Sequence, residues 1–276
     1  TILTCSIAIA EVITNVSCNG NSDGEIDITV TGGTAPYNYN WADGTGTGTV
    51  PGDEDQTGLT AGTFNVTVTD ANGCTIIGNY TVTEPAALSI AESVTNVSCN
   101  GGNDGEIDIT VTGGTAPYSY NWADGTGTGT VSGDEDQTGL TAGTFNVTVT
   151  DANGCTIIGN YTVTEPAALS IAESVTNVSC NGGNDGEIDI TVTGGTAPYS
   201  YNWADGTGTG TVSGDEDQTG LTAGTFNVTV TDANGCTIIG NYTVTEPAAL
   251  SIAESVTNVS CNGGNDGEID ITVTGG

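Results

Sequence analysis

Eight cysteines are the residues of this chain best equipped for chemistry, and seven of them fall on a lattice. Cys18, Cys99, Cys180 and Cys261 recur every 81 residues, as do Cys74, Cys155 and Cys236, while Cys5 stands off the pattern. Cysteines in an acidic, strand-rich sequence point to disulfides and an extracytoplasmic compartment.

Carboxylates form the second group. Asp53, Glu54 and Asp55, with their copies Asp134, Glu135, Asp136 and Asp215, Glu216, Asp217, crowd three acids into one short loop. Oxygen ligands at that density suit calcium, the one candidate cofactor, although a solvated acidic loop is the plainer reading. Asn19-Gly20-Asn21-Ser22-Asp23-Gly24 also resembles the opening of a calcium loop. Its twelfth position is Val30 instead of Glu, and Gly102 and Gly183 replace Asn21, so an ordinary turn is favoured. Asp53 with Asp55 is the only carboxylate pair that could serve a glycosidase, and its recurrence in a flexible loop reads as surface. A third group consists of N-x-S/T sequons at Asn15, Asn65, Asn79, Asn96, Asn146, Asn160, Asn177, Asn227, Asn241 and Asn258, each a candidate for glycosylation.

Composition excludes several functions. The chain has 34 acidic residues and no Lys, Arg or His. Phosphate binding depends on basic side chains, so nucleic acid is excluded as a partner, and anionic membrane surfaces repel the chain. The usual general bases and oxyanion clamps are missing, so no enzyme is expected. No apolar run approaches the roughly 18 residues of a membrane span, so no membrane insertion is expected.

The elements that position these groups repeat with the cysteines. In Leu59 to Cys74, which returns letter for letter at Leu140 to Cys155 and Leu221 to Cys236, Phe64, Val66 and Val68 alternate with Asn65, Thr67 and Thr69. That is the period of a half-buried strand, and Asp70-Ala71-Asn72-Gly73 supplies the turn after it. Other strands are expected over Leu88 to Val97, Glu25 to Val30, Tyr37 to Trp41 and Thr75 to Thr83, with Asp43 to Gly58 irregular or weakly stranded. Trp41 is expected to plug the core. Short strands at regular spacing without helical periodicity predict an all-β protein of tandem immunoglobulin-like antiparallel β-sandwiches, stacked end to end in an elongated array. The expected repeats are 1–85, with a divergent first strand, 86–166, 167–247, and the first strands of a fourth at 248–276. We expect the sequence to be an excerpt of a longer repeat protein. Phe64 stands where such domains usually have the Tyr of the tyrosine corner, so only its packing role remains.

Cys99-Asn100-Gly101, Asp104-Gly105, Val111, Gly113-Gly114-Thr115-Ala116-Pro117-Tyr118, Tyr120, Trp122, Gly125, Leu140, Ala142-Gly143, Phe145, Val147, Val149-Thr150-Asp151 and Gly154-Cys155 together resemble the SprB-type repeat. That repeat occurs in giant surface adhesins of gliding Bacteroidota and in related cell-surface proteins, and the resemblance runs through nearly the whole period. It implies an immunoglobulin-like module in a long, secreted, surface-displayed filament without enzyme activity.

In such a topology the loop holding Cys18 and the loop holding Cys74 lie at opposite ends of a sandwich, about 20 Å or more apart, whereas a disulfide needs Cα atoms within about 7 Å. End-to-end stacking instead pairs Cys5 with Cys74, Cys18 with Cys155 and Cys99 with Cys236, leaving Cys180 and Cys261 for residues beyond Gly276. Pairing within each repeat, Cys18 with Cys74, Cys99 with Cys155 and Cys180 with Cys236, stays open as the alternative. The expected function is the stalk of an extracellular, cell-surface adhesin or filament. The alternative is a multivalent module that binds carbohydrate or a surface weakly and gains by avidity. Expected partners are further repeats of the same chain, identical neighbouring chains in a filament, and surface or glycan ligands bound through a tip outside this sequence.

Overall fold

The computed structural model describes residues 6–276, which form strands and turns with no helix. The first sandwich contains β1 (Ile7–Thr14), β2 (Gly24–Gly32), β3 (Asn38–Asp43), β4 (Gln56–Leu59), β5 (Gly62–Thr69) and β6 (Thr75–Val82). The second contains β7 (Ser89–Thr95), β8 (Gly105–Thr112), β9 (Ser119–Asp124), β10 (Gln137–Leu140), β11 (Gly143–Thr150) and β12 (Thr156–Val163). The third contains β13 (Ser170–Thr176), β14 (Gly186–Thr193), β15 (Ser200–Asp205), β16 (Gln218–Leu221), β17 (Gly224–Thr231) and β18 (Thr237–Val244). A last hairpin pairs β19 (Ser251–Thr257) with β20 (Glu268–Thr274).

Each sandwich has two antiparallel three-stranded sheets, ordered β1-β2-β4 and β3-β5-β6 in the first, with the same connections in the others. That order is the immunoglobulin arrangement of strands A, B and E facing C, F and G. Alternation along the strands makes the core. Ile26 and Ile28 of β2 face Phe64, Val66 and Val68 of β5, and Trp41, Leu59, Tyr80, Val82 and Val16 complete the cluster. Trp41 sits directly across from Val66, and Phe64 from Tyr80. The indole of Trp41 leans on the Tyr80 ring with centroids 5.8 Å apart, and its Nε1 donates to the Asp53 carbonyl at 2.9 Å. Phe64 is fully buried, and a Cβ on Gly46 would meet its ring at 2.2 Å, so that glycine makes the floor on which the ring lies.

Two stretches differ from the sequence expectation. β7 ends at Thr95, and Val97, expected within the strand, lies beyond it in the following loop, where it is nonetheless buried. Within the stretch expected to be weakly stranded, Gln56–Leu59 forms β4 and pairs with β2 across a register shift. The Gln56 carboxamide organises this loop from inside. It accepts from the Val50 amide and donates to the Val50 and Asp53 carbonyls.

The chain divides into two compact units. One comprises the chain up to Thr95 together with Gly105–Val163, and the other Asn96–Asp104 together with Thr164–Gly276. The first therefore holds the strands of the first two sandwiches. The second holds the third sandwich, the final hairpin and the short loop 96–104.

Candidate functional site

Inside the first unit, the loop that follows β1 meets the loop between β11 and β12. Asp151, at the end of β11, is 5% exposed, and its carboxylate is caged by main-chain donors. Thr115 N donates to Oδ2 at 2.8 Å, while Asn153 N and Cys155 N donate to Oδ1 at 2.9 and 2.8 Å. Burial pushes this carboxyl up, but the amides of Thr115, Cys155, Asn153 and Gly154 together outweigh it and hold the group below the ordinary aspartate value. The cage ties two loops together and fixes Cys155.

On the opposing loop, Asp23 organises Ser17, the neighbour of Cys18. Its carboxylate accepts from the Ser17 amide at 3.0 Å and from the Ser17 hydroxyl. The Ser17 hydroxyl, and then its amide, hold Asp23 below the ordinary value. Between the two loops, Cys18 and Cys155 form a disulfide with Cα atoms 5.7 Å apart, and Asn153 Nδ2 donates to the Ser17 carbonyl at 3.0 Å. The connecting peptide after β6 is clamped to the same place. Glu84 Oε2 accepts from Gly20 N at 2.6 Å, Asn19 Nδ2 donates to the Pro85 carbonyl at 3.2 Å, and Asn15 Oδ1 accepts from Thr83 N at 2.8 Å.

The second unit repeats this construction. Cys99 bonds Cys236 with the same 5.7 Å Cα separation, Asn234 Nδ2 donates to the Ser98 carbonyl at 2.9 Å, and Asp104 accepts from Ser98 N at 3.0 Å. Asp232 is caged by Thr196, Asn234 and Cys236. Glu165 accepts from Gly101 N, and Asn96 Oδ1 from Thr164 N.

The cysteines are thus joined between one repeat and the next. Pairing within each repeat does not occur, because Cys18 and Cys99 lie at the sandwich end opposite to Cys74 and Cys155, and Cys180 is free and exposed, as is Cys261. Cys74 is disulfide-bonded, and Cys5 lies outside the described residues.

The acidic clusters do not converge. Asp55 Oδ1 accepts from Ile28 N at 2.9 Å, and Asp136 and Asp217 do the same for Ile109 and Ile190. Asp53, Asp134 and Asp215 each present a main-chain carbonyl to a Trp indole. Glu54, Glu135 and Glu216 stand beside Tyr39, Tyr120 and Tyr201, whose hydroxyls are pushed up to about 12 by burial first and then by the neighbouring Glu. Among the described residues no group of three His, Cys, Asp or Glu is placed to hold a metal ion. No described helix is long and apolar enough to cross a membrane.

The sequons separate into two kinds. Asn15, Asn96 and Asn177 pin the ends of β6, β12 and β18 through their Oδ1 atoms. Asn65 faces Asn79 across β5 and β6, Asn146 faces Asn160, and Asn227 faces Asn241, all exposed. Asn258 is also exposed.

Sequence reasoning missed the caged aspartates Asp70, Asp151 and Asp232, and the cross-loop Asn153 and Asn234. Their signal was the spelling Asp-Ala-Asn-Gly-Cys, which read only as a turn.

The family model described as SprB repeat matches residues 10–46, 91–127, 172–208 and 253–276. The full matches end shortly after the Trp-bearing strand, so the resemblance is narrower than the whole period. Cys18, Cys99, Cys180 and Cys261 lie inside the matched segments, and Cys74, Cys155 and Cys236 lie outside them. No curated protein sequence matches the chain. Among solved structures, the N-terminal eight Ig domains of Down Syndrome Cell Adhesion Molecule are similar at 10% identity and TM-score 0.40, over 89% of this chain and 44% of that one. Extracellular domains 3–5 of Drosophila OTK are similar at 8% identity and TM-score 0.31, over 80% and 91%. Invasin, a bacterial integrin-binding protein, is similar at 14% identity and TM-score 0.32, over 96% and 67%. The chain thus spans less than half the length of the first of these.

Proposed function

The chain carries SprB repeats in tandem, and from that premise we propose that it is a segment of the stalk of a secreted cell-surface adhesin or extracellular filament. The observation that carries the proposal is the junction, where a disulfide, a caged aspartate and a carboxamide hydrogen bond recur in the same roles at Cys18–Cys155 and Cys99–Cys236. Identical junctions between near-identical modules suit a spacer, in which each copy does the same mechanical work. The aromatic residues support the same reading. Trp41, Phe64 and Tyr80 are buried, Tyr37 and Tyr39 pack against the core, and no described aromatic side chain is exposed to serve as a sugar platform. The role proposed is non-catalytic and extracellular, with further repeats and neighbouring chains as the partners.

A second reading, weak multivalent binding of carbohydrate, draws on an open cleft of ≈ 410 Å³ beside the Cys18–Cys155 bond, lined by Asn19, Ala86, Leu88 and Gly114 among others. A cleft of ≈ 390 Å³ lies beside Cys99–Cys236. A glycan array probed with the intact chain separates the two readings. The stalk reading expects no reproducible binding, and a consistent glycan hit would overturn it. If the surface is glycosylated, Asn65 and Asn79 are the exposed candidates. Because they are direct cross-strand neighbours, a glycan on one crowds the other.

A further inference from the structure

The two disulfides interleave. Each spans 137 positions, while the sequence repeats every 81, so Cys99 opens the second bond before Cys155 closes the first. We propose that this interleaving gives the protein two covalent lanes, which carry pulling force in parallel past the folded sandwiches and prevent the chain from lengthening by unfolding its repeats. The inference deepens the stalk reading and rests on it for its biological use, although the lanes themselves follow from bonding alone.

One lane crosses Cys18–Cys155 and continues along the chain to Cys180. The other runs from Cys74 to Cys99, crosses to Cys236 and continues to Cys261. Between a cysteine of the second kind and the next of the first kind there are only about 25 residues of chain, with a reach of about 90 Å at full extension. In the Cys74 to Cys99 segment these residues are β6, a short linker and β7, which contribute 8 and 7 residues of strand. Strand already advances about 3.3 Å per residue against a limit of about 3.6 Å, so this part of the lane has little slack. Strands β8 to β11, with their core, lie within the span bridged by Cys18–Cys155 and need bear no tension. Cys180 and Cys261, at the far ends of the two lanes, are free and exposed.

Single-molecule stretching of the whole chain, held at Ser17 and Asn181, tests this. The oxidised path through Cys18–Cys155 contains about 27 residues and limits the extension to about 100 Å, against about 590 Å for the fully reduced chain. Cys18→Ser removes this lane and lets the tether lengthen well beyond that limit, whereas Cys99→Ser leaves it at about 100 Å. Adding reductant to the tethered wild-type chain gives the same lengthening without relying on a variant that must fold. An oxidised wild-type chain, or a Cys99→Ser variant, that extends to about 590 Å between these points overturns the proposal. Glycan binding with these lengths intact would instead overturn only the stalk reading.

Discussion

Phe226 and Cys236 belong to the same hairpin, β17–β18, and different interactions hold them. Phe226 is 0% exposed, packed among Ile188, Ile190, Trp203, Leu221, Val228 and Val244, and its position depends on apolar area and shape. Cys236 depends on a covalent bond to Cys99 and on Asp232, whose carboxylate gathers the amides of Thr196, Asn234 and Cys236. The interior tolerates apolar side chains of similar volume, whereas the junction requires particular atoms at particular distances. A module can therefore drift in its core and remain a sandwich, while small changes at the junction detach it from its neighbour.

The largest expected stability effect breaks the core side of this contrast. Phe226→Ala should cost about 3–5 kcal/mol in the third sandwich, read by denaturant titration of Trp203 fluorescence, with the Cys99–Cys236 bond still formed. A loss under about 1 kcal/mol would mean that the site collapses and that packing is not what fixes it. Cys99→Ser acts on the other side. It should remove roughly 2–5 kcal/mol through the freed 137-residue span, lowering the melting temperature while the near-ultraviolet dichroism of the packed Trp residues stays native. If that dichroism also collapses, the core is not independent of the staple.

Acid sharpens the contrast further. Asp232, like Asp70 and Asp151, is raised by burial and lowered more strongly by its amide donors, so its folded value lies below 3.8. A carboxyl with a depressed folded value stabilises the protein above its unfolded value, near 3.9, and that contribution fades as pH falls through the folded value. Protonation also relieves the repulsion of a chain with net charge -34, which works the other way. The cages are expected to win, so the melting temperature should drop between pH 5 and pH 3, with a shallower slope in Asp232→Asn. A melting temperature that rises steadily to pH 3 would make repulsion the larger effect. The smallest effect concerns calcium. Excess chelator should leave the melt unchanged, because Asp55, Asp136 and Asp217 already accept from strand amides; a clear drop would restore these loops as a cation site.

The same contrast explains what could be read from the sequence. Ile26-Asp27-Ile28 and Phe64-Asn65-Val66-Thr67-Val68 announce which side of a strand is buried, because side-chain direction has a period of two. β4 was legible only as a stretch irregular or weakly stranded, because Gln-Thr-Gly-Leu has no alternation and its inward group is a carboxamide satisfied by a loop carbonyl. The cross-repeat pairing could be argued from which end of a sandwich each loop occupies. The cages could not, since the donor Thr115 lies 36 residues before Asp151, and only folding brings its amide there. Asp23 and Asp55 read as an ordinary turn and a solvated loop, with a cation site as the alternative; the amides that occupy them belong to Ser17 and Ile28, six and 27 residues earlier, and only the fold shows them.

The overlap of the two bridged spans also bears on digestion. Every peptide bond from Cys18 to Cys236 lies inside at least one of them, so no single protease cut in that stretch can part the molecule. A clip at the exposed loop around Val50 and Pro51 would leave both fragments joined through Cys18 and Cys155, visible as two bands only after reduction. A chain built this way keeps its two ends covalently joined through any one cut in that stretch.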